Sequence, residues 1–479
     1  MSSVHLLVLI HGMWGNPGHL SELCRIITET YPTPLDDIKL EVLLAETNRD
    51  NSTYDGIDWG GERVAEEVVA KMDELKKDGK TVSRFSVTGY SLGGLIARYV
   101  VGILSQRGFF DQVTPVNFNT IATPHIGLPK YPSFISTLTS SLGSKLLSRT
   151  GEQFYLVDKW SVTGRPLIEV MADPKQIFHQ ALSQFRQIRI YANAVYDTTV
   201  PYVTSAIEID DPFALFKTNG IQMQVKLLTE LSRASHLVFY SDLDDKYFPL
   251  IKTFDLPEIP PAPTPKPVIL SQDWFRDQKA GRPFLPTTLQ VLYFLLPILM
   301  PVALSLAVIN FSFQSCASRA RIRLLEEDSK GQKLINILAQ LEVELKDTVV
   351  NLMVDHPAES QPASYLPGQK QSPRPIPNDP IFVDTISSIE EGAGIPNSPA
   401  ATLSGPSSSS KPAPEQPILS PLQHKIVGWL NQLPLRKDLA YFPDVRNSHG
   451  MIVCRDAHRF KVHRRGEGIV RHWAASFIL

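Results

Sequence analysis

The stretch VTGYSLGGLIARYV (Val87–Val100) sets a serine between glycines at the point where an apolar run passes into a helical pattern. Its pentapeptide GYSLG (Gly89–Gly93) fits the G-x-S-x-G pattern, in which a sharp strand-to-helix turn lifts the serine hydroxyl above a sheet edge. Side chains at positions 89 and 93 would collide with the neighbouring strand and helix, and Gly94 extends the small face. Leu92 offers its N–H at a helix N-terminus, where negative charge is favoured. An unassisted hydroxyl is a poor nucleophile near neutral pH. Ser91 therefore implies chemistry only if the chain also supplies a base, an acid to orient it and donors for an oxyanion. Otherwise it is a small residue in a tight turn.

Around this turn the first 250 or so residues alternate short apolar runs with amphipathic ones. Strands are expected at His5–Ile10, Lys39–Leu44, Phe85–Thr88, Val116–Ile121 and Gln187–Ala194. Between them, Glu62–Leu75 carries Val64, Val68, Met72 and Leu75 at helical spacing, with Gly79 placed to stop the helix. Such alternation predicts an α/β fold with a mostly parallel sheet covered by helices on both faces. Ligands of such sheets gather beyond the carboxyl ends of the strands, so the turns there are the places to search.

Three further turns carry candidates. HGMWGNP (His11–Pro17) follows the opening strand, where glycine lets a main-chain N–H approach an anionic oxygen; an ordinary Gly-rich exit would look the same. VYDTTVP (Val195–Pro201) puts Asp197 just past a strand, suited to orienting an imidazole, although a turn aspartate can also cap its own backbone. Asp210 and Asp211 compete for that role from deeper in a loop. SRASHLVFY (Ser232–Tyr240) supplies His236, which completes the chain order Ser, Asp, His. His11 is read as holding its own turn. His125, in ATPHIG (Ala122–Gly127), precedes the acid in the chain and is read as structural, at the pocket rim.

Composition bounds the alternatives. The chain has 479 residues and a formal net charge of -2, which predicts no pull toward nucleic acid. Cys24, Cys316 and Cys454 lie far apart without metal-like spacing, so neither a disulfide framework nor a metal site is expected, and the pattern suits a reducing compartment. No leader peptide is expected, because HLLVLI (His5–Ile10) lacks a basic start and runs straight into the HG turn. The Pro-rich LPEIPPAPTPKP (Leu256–Pro267) reads as a stiff spacer, and about His356–Pro421 as a disordered Pro/Ser-rich stretch.

Between these, Leu289–Phe313 holds no charged residue; as one helix at about 1.5 Å per residue it would reach ~37 Å, enough to cross a hydrocarbon layer. Pro297 and Pro301 near its middle, and arginines and lysines on both flanks, favour a hairpin over a single span. Leu324–Val354 reads as an amphipathic helix. Beyond it a helix over Leu422–Leu433 and two apolar strands are expected. The basic run Arg455–Arg465 reads as a solvated hairpin, with contact to anionic head groups as the alternative.

Taken together, the HG turn, GYSLGGL (Gly89–Leu95), TPHIG (Thr123–Gly127) and YDTTVP (Tyr196–Pro201) resemble the serine esterase/lipase family of α/β-hydrolases, most of all its fungal lipid-droplet phospholipase group. The resemblance covers roughly residues 4–250 and resumes at RNSHGMIVC (Arg446–Cys454) and EGIVRHW (Glu467–Trp473). It implies a lipase or deacylase that needs no cofactor, with Ser91 as nucleophile, Asp197 as acid, His236 as base, and the main-chain N–H groups of Met13 and Leu92 as oxyanion hole. Leu128–Phe185 would be lid and acyl pocket.

The organisation expected is a hydrolase domain over 1–255, linker 256–288, membrane hairpin or span 289–313, amphipathic helix 314–355, disordered 356–421 and closing segment 422–479. The substrate expected is a glycerolipid, phospholipid above all, met at an endoplasmic reticulum membrane or lipid-droplet surface from the cytosolic side. A thioesterase or lipid-anchor deacylase using the same triad, and an inactive hydrolase-fold membrane tether, are the alternatives.

Overall fold

The opening strand shows how the sheet is buried on both sides. In β1 (Ser2–Ile10), Val4, Leu6, Val8 and Ile10 enter one core while Leu7 and Leu9 enter the other. An alternating strand with no polar face belongs inside a layered α/β structure. The computed structural model describes residues 2–225, 249–257, 287–328, 416–443 and 445–479. His236, most of the Pro-rich linker, the later part of the expected amphipathic helix and most of the Pro/Ser-rich stretch lie outside the described residues.

The other strands are β2 (Ile38–Leu44), β3 (Lys80–Tyr90), β4 (Thr114–Ile121), β5 (Gln187–Asn193), β6 (Gln222–Val225), β7 (Leu250–Asp255) and β8 (Leu435–Ala440). They form one sheet in the order β2-β1-β3-β4-β5-β8-β7-β6. All neighbours from β2 to β8 run parallel, and β7 and β6 extend the edge antiparallel. The five strands expected from sequence are the first five. One face is covered by α2 (Ile57–Lys77) and α3 (Leu92–Gln106), through Val64, Val68, Leu95, Ile96 and Tyr99. The other is covered by α1 (Ser21–Thr30), through Leu23, Ile26 and Ile27, and by the helix Glu467–Ala475, through Ile469, Val470 and Trp473. This is the α/β-hydrolase fold.

Several expectations need correction. The hydrolase domain does not close at residue 255, because β8 pairs with β5 from Ile188↔Leu435 to Asn193↔Ala440 and on its other side with β7. The Arg189–Asp438 ion pair at 2.6 Å spans that junction. The closing segment is thus an inner strand plus the helix sealing the second core, where Tyr31 donates to the Phe477 carbonyl (2.7 Å) and Asn117 to that of Ile478 (2.8 Å). Among its described residues it holds one strand rather than two, and the basic run after Arg455 forms turns and the 3-10 helix Lys461–Gly466 instead of a hairpin.

The apolar segment also differs. One helix runs from Thr287 to Asp328 through both prolines, so the backbone does not turn back, and the start of the expected amphipathic helix continues it. Each proline costs an intrahelical hydrogen bond but not the helix.

A chain ending at residue 255 should lose the inner strand and the Trp473 layer together. Expressed alone, it is expected to be insoluble or to lack a cooperative thermal transition, as read by circular dichroism; a soluble fragment melting like the whole chain would contradict this placement.

Candidate active site

Four strand exits meet at the carboxyl edge of the sheet, and each holds a non-glycine residue at positive φ. Trp14 (52°) follows β1, Ser91 (56°) follows β3, Ala122 (49°) follows β4 and Tyr196 (61°) follows β5. Such conformations cost free energy and persist only where surroundings over-determine them. At Ser91 the surroundings are clear: its N–H donates to the Ile121 carbonyl (2.9 Å) and its own carbonyl accepts from Gly94 (3.0 Å). A Cβ on Gly89 would lie 2.3 Å from the Gly93 carbonyl oxygen, and one on Gly93 would lie 2.1 Å from that of Ile10. The elbow closes only because both are glycines.

Asp197 sits past β5, buried, with both carboxylate oxygens engaged. Oδ1 accepts the N–H groups of Thr199 (3.0 Å) and Val200 (2.8 Å), and Oδ2 accepts from Asn193 (2.8 Å). Oδ2 also meets an imidazole, that of His449: Nδ1 lies 2.9 Å from it, while Nε2 lies 3.1 Å from Ser91 Oγ. A carboxylate only accepts, so Nδ1 carries the proton and Nε2 presents a lone pair to the serine hydroxyl.

The position that the sequence reading gives to His236 is therefore occupied by His449. Its loop is pinned to the acid's loop: Ser448 N–H donates to the Tyr196 carbonyl (2.9 Å), and its hydroxyl to that of Val195 (2.9 Å). The Tyr90 hydroxyl donates to the His449 carbonyl (3.0 Å), and the two rings pack 5.1 Å apart. Burial raises the Tyr90 phenol, keeping it a neutral donor.

The other candidates fall elsewhere. The HG turn crosses Ser91 so closely that a Cβ on Gly12 would lie 2.7 Å from Ser91 Cβ. That sets the HG turn, in which Met13 follows Gly12, against the serine, and Leu92, first residue of α3, has an N–H without an intrahelical acceptor. His11 stays in its turn, with Nδ1 at 3.1 Å from the Gly12 carbonyl and its pKa lowered by burial. His125 is buried against Thr120 (2.8 Å), not at a rim, and burial lowers its pKa well below the ordinary value.

Asp211 is capped by the Phe213 N–H (2.9 Å), and burial raises its carboxyl to about 6. It lines a cavity of about 470 Å³ with Tyr131, Tyr202 and Phe213, which touches Asp197 but neither Ser91 nor His449. The signal for His449 was present, since RNSHGMIVC also follows the acid in chain order, but only the pairing of β8 with β5 brings it near.

A sheet with this order, a serine in a sharp turn after β3 and a carboxylate after β5 are the features of the α/β-hydrolase fold. Residues 1–207 match the family described as "Putative serine esterase (DUF676)". The chain is 33% identical over 211 residues to "Putative lipase C4A8.10" of Schizosaccharomyces pombe, covering 43% of this chain and 26% of that protein. It is 28% identical over 239 residues to "Putative lipase ROG1" of Saccharomyces cerevisiae, covering 49% and 32%. The chain thus spans a third or less of the length of these curated relatives. Among solved structures it is similar to the lin2722 gene product of Listeria innocua (16% identity, TM-score 0.26, 42% of this chain and 76% of that one). It is also similar to phospholipase PlaB from Legionella pneumophila (12% identity, TM-score 0.25, 46% and 47%).

Gly93→Ala should destabilise the domain by about 1–3 kcal/mol, because the added methyl meets backbone that cannot rotate away. Thermal unfolding checks this: the melting temperature should fall, and an unchanged transition would contradict the packing described.

Proposed function

We propose that the chain is a serine hydrolase of acyl esters in glycerolipids, phospholipids above all, acting at a membrane surface. The observation that carries the chemistry is the unbroken path Asp197 Oδ2, His449 Nδ1, His449 Nε2, Ser91 Oγ, at 2.9 and 3.1 Å. His449 takes the Ser91 proton as Oγ attacks the ester carbonyl, and Asp197 stabilises the imidazolium so formed. The main-chain N–H groups of Met13 and Leu92 hold the tetrahedral oxyanion. His449 then gives its proton to the leaving alcohol oxygen, the lysolipid. A water deprotonated by His449 attacks the acyl-enzyme, the fatty acid leaves and Ser91 regains its proton.

Lipid as the substrate is supported by the relatives named lipases and by the apolar surface beside the site. Among the described residues one helix, Pro301–Glu326, is long and apolar enough to cross a membrane. Val302, Leu304, Leu306, Ile309 and Phe313 on it are exposed, as are Leu138 and Leu142 on the helix Phe134–Leu146. Apolar area of this extent is stabilised by contact with acyl chains rather than water. The segment Leu128–Phe185, which includes that helix, is assigned as lid and acyl pocket.

With purified full-length chain and a mixed lipid panel, Ser91→Ala should lower release of fatty acid and lysolipid by ~10³-fold or more. Asp197→Asn should lower kcat on the order of 10⁴-fold, by favouring the wrong tautomer of His449. Undiminished turnover by Ser91→Ala would overturn the assignment, and release of water-soluble acids alone would overturn the lipid substrate.

A further inference from the structure

We infer that the long apolar helix is part of the catalytic apparatus: seated on the hydrolase domain, it holds the loop that carries Met13. This rests on the proposed hydrolase function and assigns Phe311, Ser318 and Arg321 as positioning residues, which act through the loop without touching substrate.

The seat is built. From Ala307 onward the helix buries a single stripe: Val308, Phe311, Ser315, Ser318, Ile322 and Leu325 are half-buried or buried, and the residues between them are mostly exposed. Spacing of three and four residues is what one contacting face of a helix requires. The stripe packs on the helices Phe134–Leu146 and Ser148–Phe154 and on the 3-10 turn Asp50–Tyr54. Ser315 donates to the Lys145 carbonyl (3.1 Å), and Ser318, with no exposed surface, accepts from the Ser148 hydroxyl (3.2 Å).

At the centre of the contact is Asp55, fully buried at the end of that turn. Its carboxylate takes the Arg63 guanidinium (2.5 Å), the Ser318 hydroxyl (2.7 Å) and Arg321 (2.8 Å). Arg321 also donates to the Asn51 carbonyl (2.9 Å). Two of the three groups on this buried carboxylate belong to the long helix. A buried charge that loses partners is strongly unfavourable, so the turn keeps this conformation only while the helix is seated.

The same turn holds the oxyanion loop. Trp14 donates its main-chain N–H to Thr53 Oγ1 (3.2 Å) and its indole N–H to the Tyr54 hydroxyl (2.9 Å). Asp50 donates its N–H to the Gly15 carbonyl (2.8 Å). The indole, half exposed in a loop residue at φ 52°, is stacked on Phe311 of the helix at 6.0 Å and 21°. Met13 lies between this braced tryptophan and Gly12, which abuts Ser91. A donor displaced by an ångström loses most of its preference for the transition state. Unseating the helix releases both supports of Trp14 at once, the turn and the ring beneath it.

The test uses the full-length chain in detergent with a short soluble ester, p-nitrophenyl butyrate, so that lipid binding does not enter. Phe311→Ala should lower kcat about tenfold or more with KM within about twofold, as expected of a lost transition-state contact. Phe311→Tyr, which keeps a ring under Trp14, should restore kcat to within about twofold of the wild type. Arg321→Gln should lower kcat in the same way, and gives a second route should Phe311→Ala prove unstable. Leu324→Ala, on the exposed side of the same helix, should leave kcat unchanged.

Wild-type kcat in both Phe311→Ala and Arg321→Gln, with turnover still abolished by Ser91→Ala, would overturn the inference and leave the hydrolase reading standing. Turnover that survives Ser91→Ala would overturn both.

Discussion

The arrangement at the carboxyl edge depends on one hydrogen-bonded imidazole, His449, held between the carboxylate of Asp197 and the hydroxyl of Ser91. Ser91 and Asp197 stand on the exits of β3 and β5, both in the N-terminal half of the chain. The imidazole arrives from the far end. It reaches its place because Leu435–Ala440 enters the sheet beside β5 and the chain then returns over the edge, where Ser448 and Tyr90 fix the loop. The closing segment thus completes both the sheet and the site.

Around this imidazole four strand exits take strained backbone conformations that packing holds. Positive φ at Trp14, Ser91, Ala122 and Tyr196 bends each strand exit toward a common point. Each bend is held by an identified partner: the Tyr54–Phe311 cradle for Trp14, the Ile121 carbonyl for Ser91, the Tyr191 carbonyl for Ala122 and Ser448 for Tyr196. The glycines at 12, 89 and 93 let the bends approach each other. Buried polar groups do the same on the helical side, where Asp55 gathers Arg63, Ser318 and Arg321 into one contact. The long helix thus carries an exposed apolar side and a polar docking face.

Much of this was legible in the sequence because it is local. The alternation of apolar runs marks the first five strands, the GYSLG pentapeptide marks the sharp turn at Ser91, and VYDTTVP places Asp197 just past a strand. The histidine was not legible, because chain order admits both His236 and His449 and only long-range pairing chooses between them. His449 lies in RNSHGMIVC, a segment whose resemblance to the family's closing portion is visible in sequence without saying what it closes. The continuous helix is not legible for a related reason. Proline removes a hydrogen bond, which suggests a turn, but the remaining bonds of a long apolar helix carry it through. The polar stripe Ser315, Ser318, Arg321 had no reading at all, since its partner, Asp55, is distant in the chain.

The most direct test of the account is the rate at which a fluorophosphonate labels Ser91 in the full-length chain, compared between His449→Ala and His236→Ala. Labelling requires an activated serine hydroxyl, so it reports the base without reference to any lipid. The account predicts that labelling is lost in His449→Ala and proceeds at the wild-type rate in His236→Ala. Loss in His236→Ala with retention in His449→Ala would contradict it.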